Sequence, residues 1–241
     1  MEASVSTLST TEKLFGTTAL DSRRAEMVRR TYMLLSISVV AAMAGGWIGS
    51  RSEPVITFFL QPWGWLVAML LLNGIPWLAL AAARSNPVVA IGVLALDGFI
   101  SGMVLSPLLF VAAYFSRAGG LGLVEQALMI TAAVFAAITM YIMVSGRQFS
   151  APRGLLFGAF VALTVGIGLN LFMQSSLLGT ILVIGVGLFG VVTLVYATSD
   201  VLNNPEYQDP IVGALMLFAA LFNIFQAVLN ILLRIAAGSR D

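Results

Sequence analysis

The sequence predicts an all-α, polytopic membrane protein with seven transmembrane helices, and two observations predict it. Hydrophobic residues make up 59 % of the 241 and charged residues only 10 %, where an ordinary globular domain carries roughly 25 % charged. So few charges cannot cover a water-facing surface, whereas a lipid-facing one needs almost none. Second, the apolar residues fall into seven windows that approach or exceed the about 20 residues a spanning helix needs. In lipid every backbone polar group must be satisfied within the segment, which makes the helix the natural spanning element.

The first window runs from about Thr31 to Gly49, after a basic run of Arg23, Arg24, Arg29 and Arg30. The second covers Trp63 to Ala83, with a kink expected at Pro76. The third covers Val88 to Tyr114, with a break expected at Pro107 because proline lacks the amide hydrogen that the helix requires. The fourth spans Val124 to Ser145. The fifth, Gly154 to Gln174, and the sixth, Leu177 to Thr198, are separated by almost nothing. A single helix across both would be roughly 70 Å long at about 1.5 Å per residue, twice a bilayer core, so a tight hairpin at Gln174, Ser175 and Ser176 is expected. The last window covers Ile211 to Ala236. Two units follow: residues 1–21, rich in Ser and Thr, as a flexible water-exposed tail, and residues 22–241 as the seven-helix domain.

Lys and Arg concentrate on the cytoplasmic side of membrane proteins. With the N-terminus inside, that side holds Lys13, Arg23, Arg24, Arg29, Arg30, Arg84, Arg147 and Arg153, against Arg51, Arg117, Arg234 and Arg240 outside. This excess favours an N-in, C-out orientation.

Composition also excludes functions. There is neither cysteine nor histidine, which removes thiolate nucleophiles, the commonest general base and the commonest metal ligands. No basic stripe suits nucleic acid. The chain is therefore expected to be no enzyme and to hold no cofactor or metal. An intramembrane protease would need paired acids or a Ser–His arrangement, and only one acidic residue lies at membrane depth.

That residue is Asp97, about nine residues into its window and roughly 14 Å deep. An ionisable side chain there costs several kcal/mol by insertion scales, of order 3 kcal/mol, so two roles are open: an ion or proton site, or a gate pairing with an arginine such as Arg84 or Arg147. The alternative is a packed helix residue near the inner interface. Asn223, Gln226 and Asn230 are spaced three and four apart and share one helix face. With Asn170 they are candidates to line a polar cavity, or simply to hydrogen-bond between helices. Glycines crowd the fifth and sixth windows, where small side chains let helices approach closely. Trp47, Trp63 and Trp65 are placed as interfacial anchors.

Several stretches resemble the Bax inhibitor-1 family: RRTYMLLSISVVAA (29–42), GMVLSPLLF (102–110), YIMVSGRQFSAPRGLLFGAFVAL (141–163) and ALFNIFQAVLNILLRIAAG (220–238). Their order and spacing run from Arg29 to the end. LNLFMQ (169–174), FNIF (222–225) and the final SRD (239–241) are similar to the family's bacterial YccA-like branch. The resemblance implies a seven-helix fold. It also implies, for many members, an aspartate pair in the last two helices that closes a calcium-permeable pore in a pH-dependent way. Here the Tyr-Asp-Thr context reads Tyr196-Ala197-Thr198, and the position three before Asn223 is Ala220. Both acids are absent. Asp200, one turn after Ala197, could reach a similar place, with no carboxylate partner at Ala220.

For the YccA-like branch the resemblance implies another role, restraint of the membrane-anchored AAA protease FtsH, with the exposed N-terminal tail as the handle and a bacterial inner membrane as the location. Two readings therefore stand after sequence alone, a protease modulator and a calcium or proton leak.

Overall fold

A computed structural model describes residues 2–84, 86–116, 122–150, 153–204, 207 and 209–238, with side chains at all of these except 2–21, 87 and 153. Among the described residues there are nine helices and no strand. They are α1 (Glu2–Gly49), α2 (Glu53–Leu60), α3 (Pro62–Ala83), α4 (Pro87–Val104), α5 (Ser106–Phe115), α6 (Leu123–Ser145), α7 (Arg153–Met173), α8 (Ser176–Asn203) and α9 (Pro210–Gly238). Six are long and apolar enough to cross a bilayer, α1 being counted from Ser22, and α4 with α5, bent by 50° at Leu105, makes a seventh if the pair is one broken span rather than a re-entrant loop. The protein is a polytopic α-helical membrane protein. The expected flexible tail, residues 1–21, lies in the stretch whose side chains fall outside the described residues.

Two spans outrun their apolar windows. The first does not start at Thr31, since α1 is already helical from Glu2; within the added turns Arg30 pairs with Glu26 one turn back at 2.5 Å. The sixth continues from Thr198 to Asn203, because its polar last turn finds partners outside the helix. Phe149 N–H donates to Ser199 Oγ at 2.7 Å, and Asn203 Nδ2 donates to the Arg147 carbonyl at 2.8 Å. The short α2 was not expected. Its eight residues reach only about 12 Å, so it cannot span.

The breaks have local causes. Pro107 cannot donate to the Met103 carbonyl, and the Ser106 hydroxyl donates there instead. The third span therefore bends at Leu105 without leaving that carbonyl unpaired. Helix α3 runs unbroken through Pro76. The α7–α8 hairpin is as tight as expected: Gln174 adopts a left-handed φ of 49°, Asn170 Oδ1 accepts the Ser175 N–H at 3.1 Å, and Ser175 Oγ accepts the Leu178 N–H at 3.3 Å to cap α8.

Helix α9 is the pillar. Half of its apolar window is buried, against none of that of α7, and all three core clusters draw residues from it. One joins it to α1 and α8 through Leu35, Leu194 and Leu217. A second joins it to α3 and α4 through Ala79, Leu94 and Ala214, and a third to α5 and α6 through Ala112, Ala127 and Leu229. Helices α1 and α4 meet most closely, at Gly98 and Gly102. A methyl group at either would run into the Ser38 or Ala42 carbonyl oxygen. Van der Waals packing of small residues is the main attraction available between helices in lipid.

Candidate functional site

The six candidate polar residues fall into four places. Asn170, Gln226 and Asn230 come together in a cavity of about 200 Å³ among α7, α8 and α9, at the end of the bundle that carries the α7–α8 turn. Asn223 lies outside its lining. A methyl group on Gly190 would sit 3.1 Å from Asn223 Cβ and 3.0 Å from the Ala220 carbonyl oxygen, so Asn223 marks a close α8–α9 approach. The predicted polar stripe is thus split, with only its later turns facing the cavity.

Two further residues shape the cavity. Arg234 is one turn after Asn230 on the same face and lines it together with Gly179. The guanidinium is anchored: Thr180 Oγ1 donates to the Ser176 carbonyl at 2.9 Å and accepts from Arg234 Nη1 at 3.0 Å. Its other nitrogen, Nη2, and Asn170 Nδ2 both approach the empty Cβ position of Gly179, at 3.2 and 3.1 Å. Asn170 Oδ1 is occupied by Ser175 N–H, which leaves the amide NH2 facing inward. The convergent groups are therefore donors. Sequence reading assigned Arg234 to a loop count; its spacing of four from Asn230 was the signal that it extends the stripe.

Asp97 is elsewhere. It sits on α4 one turn beyond Leu94, only 3 % exposed, in line with the buried Ser101 one turn further on. Neither Arg84 nor Arg147 pairs with it: the salt bridge found among the described residues is Arg30–Glu26. The expected arginine partner is thus not met. The Arg147 backbone is instead held by Asn203 and Ser199 at the end of α8.

Asp200 faces that same end of the bundle, where its Oδ1 accepts from Asn204 Nδ2 at 2.6 Å. Nearby, the Tyr207 hydroxyl and Thr31 Oγ1 are 2.6 Å apart. Thr31 donates to the Met27 carbonyl at 3.0 Å, so the phenol is the donor of the pair. Burial pushes Tyr207 up to about 12; the Thr31 bond opposes this, and the charges of Asp209 and Asp200 add to it. Gly213 leaves the space the phenol occupies.

The two positions matched to the family's aspartates also converge. Ala197, 1 % exposed, and Ala220, fully buried, belong to one core cluster between α8 and α9. No group of three or more His, Cys, Asp or Glu that could hold a metal ion occurs among the described residues.

Comparison with known proteins agrees with this architecture. The sequence profile of the family described as "Inhibitor of apoptosis-promoting Bax1" matches residues 24–237. An uncharacterized protein of Campylobacter jejuni is 29 % identical over 210 residues, covering 85 % of this chain and 87 % of that one. The modulator of FtsH protease YccA of Escherichia coli K12 is 27 % identical over 216 residues, covering 90 % of this chain and 92 % of its own length. The match takes in every span from α1 to α9, and the chain belongs to the Bax inhibitor-1 family.

Proposed function

We propose that this protein is a modulator of a membrane-anchored AAA protease of the FtsH type in a bacterial inner membrane, acting by binding rather than by catalysis. The observation that carries the reading is the similarity, at 27 % identity over 90 % of this chain, to a protein named as such a modulator. A relative of the same name from another Escherichia coli strain is described as an inner membrane protein. The apolar seal at Ala197 and Ala220 supports it from the other side, since two methyl groups cannot share a proton as a carboxylate pair does. In this reading residues 1–21 form the cytoplasmic handle.

The test is to co-reconstitute the protease with the full chain or with a variant lacking residues 2–21, and to follow the degradation rate of a membrane substrate. The full chain is expected to slow degradation and the shortened chain to lose that effect. A full chain that neither co-purifies with the protease nor changes the rate would end the proposal.

One observation favours a second reading, an ion or proton leak: Asp97 is buried and has no hydrogen-bond or ionic partner among the described residues. Calcium usually takes six to eight oxygen ligands, roughly, and one carboxylate flanked by serine supplies few of them. A proton is the better fit. Proton flux into liposomes that Asp97→Asn abolishes would put this reading first; no flux from folded protein would remove it.

A further inference from the structure

Helix α7 packs chiefly on α8, and beside it the cavity among α7, α8 and α9 opens at one end of the bundle. Its chemistry changes with depth. Arg234 lies one turn before the end of α9, Asn170 one turn before the end of α7, and Thr180 in the second turn of α8. These polar groups are therefore within about 6 Å of the helix ends, which is the level of lipid headgroups. Further in, Ile167, Leu182, Val183 and Val186 make the α7 and α8 walls aliphatic, while α9 adds the amides of Gln226 and Asn230 beside Ala227. Val186 lies seven residues, about 10 Å along α8, beyond Gly179.

The polar end selects its occupant. Two donors, Arg234 Nη2 and Asn170 Nδ2, lie side by side against Gly179, 3.2 and 3.1 Å from where its Cβ would be. Neither has an acidic partner among the described residues. Two neighbouring donors on the wall of one cavity call for an acceptor beside them, and guanidinium with a planar amide suits an oxyanion. Thr180 holds the arginine in place before any ligand arrives, which lowers the ordering cost of binding. An anion at headgroup level joined to an apolar trough below it describes one kind of molecule.

We propose that this cavity binds a membrane phospholipid, its phosphate held by Arg234 and Asn170 and an acyl chain lying along the aliphatic groove between α7 and α9. Gly179, which has no Cβ, lets the two donors come close together on the cavity wall. The site is separate from Asp97 and from the Ala197–Ala220 seal, and it stands whether or not the protein modulates a protease.

The test is native mass spectrometry of the full chain released from detergent, titrated with phosphatidylglycerol, for the wild type, Arg234→Gln, Gly179→Val and Arg51→Gln. Arg234 is exposed, so its glutamine variant is expected to fold. Gly179→Val keeps the charge but puts a side chain where the two donors meet. Arg51, stacked on Trp47 at 4.1 Å, controls for loss of a positive charge elsewhere. The expected result is a phosphatidylglycerol adduct on the wild type and on Arg51→Gln. Its apparent affinity should fall about tenfold in Arg234→Gln, the loss of one charge-assisted contact, and likewise in Gly179→Val. Equal retention by the wild type and Arg234→Gln would overturn the proposal, as would an equal loss in Arg51→Gln. Inorganic phosphate that binds the wild type while phosphatidylglycerol does not would overturn it in favour of a soluble anion.

Discussion

At the residue scale, two side chains carry a cost or a charge that can be read out. Gln174 holds a left-handed φ of 49°, a conformation that costs a residue with a Cβ roughly 1–2 kcal/mol and glycine almost nothing. Its side chain is not what the turn uses; Asn170 and Ser175 make the bonds. Gln174→Gly is therefore expected to stabilise the protein by about 0.5–1 kcal/mol, the strain relieved being partly offset by glycine's greater freedom when unfolded. A thermal unfolding curve in detergent that shifts downward would contradict this. Tyr207 gives a pH signature. Its pKa lies at about 12 in the folded protein, above the ordinary 10.0, so the folded state holds a proton that the unfolded chain releases first. That stability is complete below pH 10 and is lost as pH rises from 10 to 12. In Tyr207→Phe this alkaline loss should be smaller, while the midpoint at neutral pH falls for want of the Thr31 bond by about 1 kcal/mol. Parallel curves for both proteins above pH 10 would show that the phenol is not the group concerned.

At the scale of elements, the decisive contact is α1 against α4. Glycine was noticed in the sequence where it is dense, in α7 and α8. Position matters more than density: Gly158 in α7 has nothing within 4 Å of its missing Cβ, whereas Gly98 and Gly102 in α4 have the backbone of α1 against theirs. Backbone cannot rotate away as a side chain can. Gly102→Ala should cost about 1–3 kcal/mol by overpacking, while Gly158→Ala should be neutral or stabilising by up to about 1 kcal/mol through helix propensity. Equal unfolding midpoints for the two variants would refute the close α1–α4 approach. The bent α4–α5 span was foreseen from Pro107, because a missing amide hydrogen is a property of the residue itself. The Ser106 bond to the orphaned Met103 carbonyl needed the helix geometry.

At the scale of the whole molecule, counting the bent α4–α5 pair as one span gives seven and puts the two ends of the chain on opposite sides of the membrane, and the distribution of Lys and Arg proposes the N-terminus inside. The absence of cysteine makes this simple to test. A single Ser52→Cys between α1 and α2 should react with a membrane-impermeant maleimide added to intact cells. A single Gln148→Cys between α6 and α7 should react only after the cells are opened. The reverse pattern would invert the topology, and with it the side on which residues 1–21 and the lipid cavity lie.

The polytopic helical architecture, the tight hairpin at Gln174 and the break at Pro107 were all determined by the sequence alone. Each rests on local chemistry: an apolar run is long enough to cross lipid or it is not, and proline lacks its hydrogen wherever it stands. The residues of the family motifs were legible in the same way, including Ala197 and Ala220 in place of acids. What only the tertiary structure decided is which distant residues meet. Arg234, Asn170 and Gly179 come from three helices, and their convergence depends on how α7, α8 and α9 are rotated about their axes. The same holds for Asp97, whose depth was predictable but whose lack of an arginine partner was not. Spacing along one helix fixes a face, and only packing determines what that face looks at.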